Sequence, residues 1–186
     1  MIGNDIIDLK IALAENKSAN SRYLAKSFTE REISEIKNDI DPELKLWTFW
    51  AMKETAYKNH QRTYGLPRKL NPLGFECHLN DSGKKGIVKI DDQQYSVIVD
   101  ISSDHINCYS VETRTFQKSY LCDADPKAAF LKDISSEFNL DASELSISKD
   151  EFGMPSLKIG TALKKVPLSI SHHGDFSALM IPLINS

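Results

Sequence analysis

The sequence predicts an α+β fold made of two similar halves, each a small antiparallel sheet packed on a long helix. Three observations carry that prediction. A segment starting at Asp41-Pro42 has apolar residues around most of its circumference (Leu46, Trp47, Phe49, Trp50, Ala51, Ala56, Tyr57), as in a helix buried on more than one side. Tyr95, Val97, Val99 and Ile101 alternate with less apolar neighbours, the period of a half-buried strand. Residues 94–112 and 166–184 both read as strand, Ser/His/Asp turn, strand, each preceded by a helix. The 186 residues suit one compact unit, with halves expected at 1–116 and 117–186.

Residues 2–9 form a short β-branched segment. Thr29 is a good helix N-cap, and Glu32 three residues on completes a capping box; Ile33, Ile36 and Ile40 extend that helix at helical spacing. Asp41 caps the next helix, Pro42 occupies its first position, and the pattern runs to about His60. Gly65, Pro67 and Asn71-Pro72 mark a loop. Phe75–Leu79 and Gly86–Ile90 flank the hairpin turn Asn80-Asp81-Ser82-Gly83. After the strand through Tyr95–Ile101, Ser102-Ser103-Asp104 turns the chain and His105–Glu112 returns. Residues 117–125 read as a connection, and Asp125-Pro126 repeats the cap-plus-proline start of a helix faced by Phe130, Leu131, Ile134 and Phe138. Leu145–Ser148 and Ser156–Ile159 are strands about a turn at residues 151–155. A last hairpin is expected from Val166–Ser171 and Phe176–Leu183 around His172-His173-Gly174-Asp175.

Charge narrows the function classes. Lys plus Arg is 23 and Asp plus Glu is 26, a net charge of −3 with no basic block, which argues against a nucleic-acid partner. Cys77, Cys108 and Cys122 are odd in number and widely spaced, as expected of reduced thiols in a cytoplasmic protein. The first residues carry two carboxylates and no basic segment, so a signal peptide is not expected. No apolar run approaches the ~18–20 residues that span a bilayer.

Three groups of residues can carry chemistry. Asp5 sits inside an apolar segment, where a carboxylate must be paired, hydrogen-bonded or on a metal; capping a helix or pairing with a lysine would also satisfy it. Trp47, Trp50, Ala51, Glu54 and Lys58 share one helix face, with Glu54 and Lys58 in the favourable acid-then-base order of an i,i+4 pair. Ser169-Ile170-Ser171-His172-His173-Gly174-Asp175 ends a strand in a donor-rich turn. Ser171, His172 and Asp175 are too close in sequence for a hydrolase triad, and no Gly-x-Ser-x-Gly elbow is present.

Together, Gly3-Asn4-Asp5-Ile6, Phe28-Thr29-x-x-Glu32, Trp50-Ala51-Met52-Lys53-Glu54-Thr55-Ala56-Tyr57-Lys58, Gly65-Leu66 and Ser169-Ile170-Ser171-His172 resemble the 4′-phosphopantetheinyl transferases. The resemblance implies transfer of the phosphopantetheine arm of coenzyme A to a serine of an apo acyl or peptidyl carrier protein, releasing adenosine 3′,5′-bisphosphate. It implies Mg²⁺ on Asp5 and Glu54, a proton-accepting role for Glu54 or a water it holds, and phosphate contact by Lys58. Ser171 and His172 would take the nucleotide end, His172 beside the 3′-phosphate. The carrier can belong to fatty-acid, polyketide or peptide synthesis, and Lys10, Arg22, Lys26 and Arg31 offer either a docking face for it or a solvated basic face.

The pattern departs from the family at two places. Ile7 stands where some relatives have a second acid, leaving Asp8 as the next carboxylate, and Met154 stands where relatives often have the lysine of Gly-Lys-Pro, so that Lys158 or another cation must replace it. The motif order matches the short holo-acyl-carrier-protein-synthase type, a trimer, whereas the length matches the two-halved surfactin type, a monomer. A monomeric pseudo-dimer with its halves in permuted order and the site in the cleft between them is therefore expected. The alternatives are a non-catalytic module that binds coenzyme A or a carrier protein, and a metal-dependent phosphohydrolase. Mg²⁺-dependent binding separates enzyme from module, and transfer to serine rather than water separates the two enzymes.

Overall fold

We describe the fold from a computed structural model, over residues 1–111, 114–121, 125–160 and 164–183. Strand β1 (Asn4–Asp8) leads into three helices, α1 (Leu9–Ala12), α2 (Ser21–Ser27) and α3 (Glu30–Asn38), and then the long α4 (Pro42–Tyr64). Strands β2 (Glu76–Leu79), β3 (Lys85–Ile90), β4 (Gln93–Ile101) and β5 (His105–Ser110) follow. They form an antiparallel sheet with β1, in the order β1-β5-β4-β3-β2. The rest of the chain repeats the scheme: β6 (Thr115–Leu121), α5 (Pro126–Phe138), β7 (Leu145–Lys149), β8 (Pro155–Ile159), β9 (Lys164–Pro167), β10 (Ser169–His173) and β11 (Phe176–Pro182). Here the strands divide between two antiparallel sheets, β10-β11-β6 and β7-β8-β9.

The likeness of the halves is topological. In each, the opening strand is followed by a helix and pairs with the last strand, β1 with β5 and β6 with β11. The sequence echo maps onto β4–β5 and β10–β11, which hold matching places in the two halves. This is the α+β arrangement the patterning predicts. Two apolar clusters follow the same division. One gathers Trp47, Phe49 and Met52 of α4 with Val88, Val97, Val99 and Cys108 of the first sheet. The other gathers Phe130 and Ile134 of α5 with Leu157, Leu179 and Ile181.

Local chemistry sets the helix ends. Thr29 Oγ1 accepts the Glu32 amide and Glu32 Oε2 accepts the Thr29 amide, the reciprocal capping box expected. Asp41 Oδ1 accepts the Leu44 amide at the start of α4, and Gly65, at φ +62°, ends it in the left-handed conformation a glycine adopts without cost. The helix therefore runs a turn beyond His60.

Other segments differ from the sequence reading. Ile40 does not continue α3: Asp39 ends the helix in extended backbone, and Ile40 projects fully into solvent. Of the connection expected over 117–125, residues 117–121 belong instead to strand β6, and 122–124 lie outside the described residues. Gln117, Lys118 and Ser119 look like loop residues, but β6 is an edge strand, where polar side chains are common. Val166 belongs to β9 and the β7-β8-β9 sheet, so the chain changes sheets at Leu168 before the final hairpin begins. The expected strand end at Glu112, the residues after Leu183 and Cys122 lie outside the described residues. Cys77 and Cys108 are buried free thiols, and burial pushes Cys108 up to about 12. Among the described residues, no helix is long and apolar enough to cross a membrane.

Candidate active site

A half-buried stripe of α4 is built on i+4 spacing: Trp50, Glu54, Lys58 and Arg62 lie one above another. They line a cleft of about 720 Å³ together with Asp5 of β1 and Ser169–His173 of β10. The turn Gly153-Met154-Pro155, the start of α5 and Lys149 complete its walls. The cleft thus takes residues from both ends of the chain.

A glycine brings β1 close enough to α4. A Cβ at Gly3 would run into the Thr55 carbonyl oxygen and lie 2.9 Å from the Asn59 amide nitrogen, so the approach admits no side chain. Two residues on, Asp5 meets the helix: Lys58 Nζ donates to Asp5 Oδ1 at 2.9 Å and to the Asn4 carbonyl at 2.8 Å. Glu54, one turn before Lys58, makes no hydrogen bond or ion pair with the described residues. Burial pushes its carboxyl above the ordinary range, the Asp5 charge adds to that, and Lys58 and Arg68 oppose it. The Asp5 carboxyl is also raised by burial, against the pull of Lys58 and the Ile6 amide. Two neighbouring carboxyls that both resist ionisation favour the arrival of positive charge.

Strand β10 is stitched to β1 by side chains. The Asn4 amide donates to Ser169 Oγ at 3.1 Å, Asn4 Nδ2 donates to Ser171 Oγ at 3.2 Å, and Ser171 Oγ donates to the Ala178 carbonyl at 3.4 Å. The adjacent histidines are held differently. His172 is exposed, with Nδ1 hydrogen-bonded to Ser177 Oγ at 3.1 Å. His173 Nδ1 accepts the Asp8 amide at 3.0 Å and its ring packs on Trp47. Burial holds His173 below the usual histidine range, and an accepting Nδ1 is that of a neutral ring.

All five residues singled out in the sequence, Asp5, Glu54, Lys58, Ser171 and His172, line this one cleft. Others do not. Trp47 turns into the core, where Nε1 donates to the Ala12 carbonyl at 2.9 Å. Asp8 holds structure together: its carboxylate accepts the amides of Lys10, Ile11 and Asp175, locking the β10–β11 turn to α1. Desolvation raises the Asp8 carboxyl, but those amides more than offset it and leave it below the ordinary range. Lys158 lies outside the cleft lining, whereas Met154, Lys127 and Lys149 are in it. Lys10, Arg22 and Lys26 are exposed, while Arg31 is tied to Glu35, Glu76 and the Cys77 carbonyl. Sequence reasoning missed Arg62, although it extends the same i+4 stripe, and Ser177, which only the strand register brings opposite His172.

No curated protein matches the sequence. Residues 1–122 match the family model of the 4′-phosphopantetheinyl transferase superfamily. That match takes in β1 and α4 whole and covers well over half of the chain, which therefore belongs to the 4′-phosphopantetheinyl transferase superfamily.

Proposed function

We propose that the protein transfers the 4′-phosphopantetheine arm of coenzyme A to a serine hydroxyl of an apo acyl or peptidyl carrier protein, with Mg²⁺, as a cytoplasmic monomer. One observation carries this reading: a carboxylate pair and a lysine from β1 and α4 face a serine–histidine strand across one cleft. Residues 1–116 and 117–186 serve as its two walls, in permuted order relative to the surfactin type.

The donor set fits magnesium. Among the described residues no group of three or more His, Cys, Asp or Glu gathers to hold a metal, so the chain offers the two carboxylates of Asp5 and Glu54. A small hard dication takes one or two carboxylates and completes its shell with phosphate and water. Bound there, Mg²⁺ would neutralise the pyrophosphate and stabilise its departing half.

The side chains supply the rest. Lys58 pairs with Asp5 and can turn its ammonium to phosphate oxygens. Glu54, raised in proton affinity and without a hydrogen bond to the described residues, takes the proton of the carrier serine, directly or through a water. A bond forms from the serine oxygen to the phosphorus of the pantetheine side, the pyrophosphate P–O bond breaks, and adenosine 3′,5′-bisphosphate leaves. His172, exposed and steadied by Ser177, donates to the 3′-phosphate, and Ser171 shapes the nucleotide end through its bond to Asn4.

Intact-mass spectrometry of apo carrier proteins incubated with the protein, coenzyme A and Mg²⁺ tests this. A gain of one phosphopantetheine, abolished by chelator, is expected. Coenzyme A binding without transfer to any carrier would favour the binding module, and release of the product into water would favour the hydrolase.

A further inference from the structure

Arg62 lies one turn beyond Lys58 and has no part in the chemistry above. Its Nη1 donates to the Pro155 carbonyl at 3.2 Å and its Nη2 to the Leu168 carbonyl at 2.8 Å. Pro155 closes the turn that presents Met154 to the cleft. Leu168 is the residue at which the chain leaves β9 for Ser169 and β10. One guanidinium therefore gathers two backbone segments, 93 and 106 residues away, onto the helix that carries Glu54 and Lys58. No carboxylate pairs with it among the described residues. Burial pushes it below the usual arginine range, opposed by the charge of Asp150, and its Nε is buried without a partner. A desolvated cation without a carboxylate partner is costly, and the planar guanidinium reaches the two carbonyls from two separate nitrogens, a span that the single nitrogen of a lysine does not reproduce.

We infer that Arg62 is a positioning residue that sets the spacing across the cleft, holding the Ser171-His172 strand at a fixed distance from Glu54 and Lys58. It acts through Pro155 and Leu168, and its effect is felt by a ligand long enough to touch both walls. This rests on the coenzyme A reading proposed above. A ligand confined to one wall is indifferent to the spacing, and that separates positioning from mere structural support.

The test measures binding of coenzyme A and of adenosine 3′-monophosphate to the full chain, as wild type, Arg62→Met and Arg62→Lys. Hydrogen exchange is followed over 153–158 and 168–173. Both variants should lose coenzyme A affinity by about tenfold or more, as small misplacements cost. Binding of the 3′-monophosphate, which lacks the pyrophosphate that reaches Lys58 and engages only the Ser171-His172 wall, should be kept. Exchange should quicken in the two tethered segments and not in α4. Arg62→Lys keeps the charge and the stem, and serves if Arg62→Met does not fold. Unchanged coenzyme A affinity overturns the inference, as do equal losses on both ligands or full rescue by lysine. A wild type that binds no coenzyme A sinks the functional reading itself, before any variant is compared.

Discussion

Helix α4 carries two lysine–carboxylate pairs five residues apart, and they do opposite things. Lys53 and Glu32 are wholly buried, 2.8 Å apart, and saturated. Lys53 Nζ also donates to the carbonyls of Pro72 and Phe75, while Glu32 accepts the amides of Thr29 and Cys77. Every proton and lone pair that matters is used, so the pair ties α3, α4, the loop and β2 into one block. Lys58 and Asp5 form the same kind of bond at 2.9 Å, but Lys58 is 23% exposed, and Glu54, which has no ion pair among the described residues, sits beside them. The difference is saturation. A closed network holds a fold, and an open one leaves charge available for a ligand.

That contrast can be broken or sharpened by substitution. The largest effect is expected from Glu54→Gln, which should reduce transfer by about 10²–10⁴-fold while leaving the fold intact, measured by steady-state transfer and circular dichroism. Near-normal turnover would remove Glu54 from the chemistry. Lys53→Met should cost about 3–5 kcal/mol, because it strands Glu32 as an uncompensated buried charge. Lys58→Met should cost less than Lys53→Met, because its pair lies at the open side of the cleft and Asp5 can take up a proton, yet abolish transfer. Urea melts of the two lysine variants, compared side by side, decide whether the pairs differ as argued.

His172→Ala should weaken coenzyme A by about 1.5–3 kcal/mol, and dephospho-coenzyme A much less; equal losses would remove the 3′-phosphate contact. The smallest effect concerns pH. Asp5 and Glu54 have raised carboxyls, so the folded state holds their protons more tightly than the unfolded chain. Stability should fall as pH rises from the ordinary carboxylate range through their folded values, and Mg²⁺ should restore it. Glu54→Gln should then melt about 2–4 °C higher without metal and gain nothing from Mg²⁺ in a thermal scan. Asp8 works the other way. Its lowered carboxyl contributes stability above the ordinary range that is lost as pH falls through its folded value.

What could be read from the sequence was whatever is decided within a few residues. The capping box at Thr29 and Glu32, the Asp41-Pro42 start of α4 and the i+4 alignment of Glu54 with Lys58 are local, and the structure has them. What could not be read depends on distant partners. Gln117-Lys118-Ser119 form a strand only because β11 is there to pair with them. Val166 joins β8 rather than the final hairpin for the same reason. In the site, the helix stripe was legible, but the use of each residue was not. Lys53 and Lys58 look alike in sequence, and only burial separates tie from open site. Asp8 looks like a spare acid until three amides are found on it.

The side-chain capping of β1 bears on how the chain reaches its native state. The outward amides of Asn4 and Asp8 are met by Ser169 and His173, residues separated from them by 165 positions. Until that late segment is synthesised and docks, β1 is an edge strand with bare donors beside apolar Ile6 and Ile7, open to pairing with another nascent chain. Closure of the final hairpin thus both completes the cleft and removes a site of aggregation. Slow docking of residues 169–177 should show itself as lost soluble yield before it shows as lost activity.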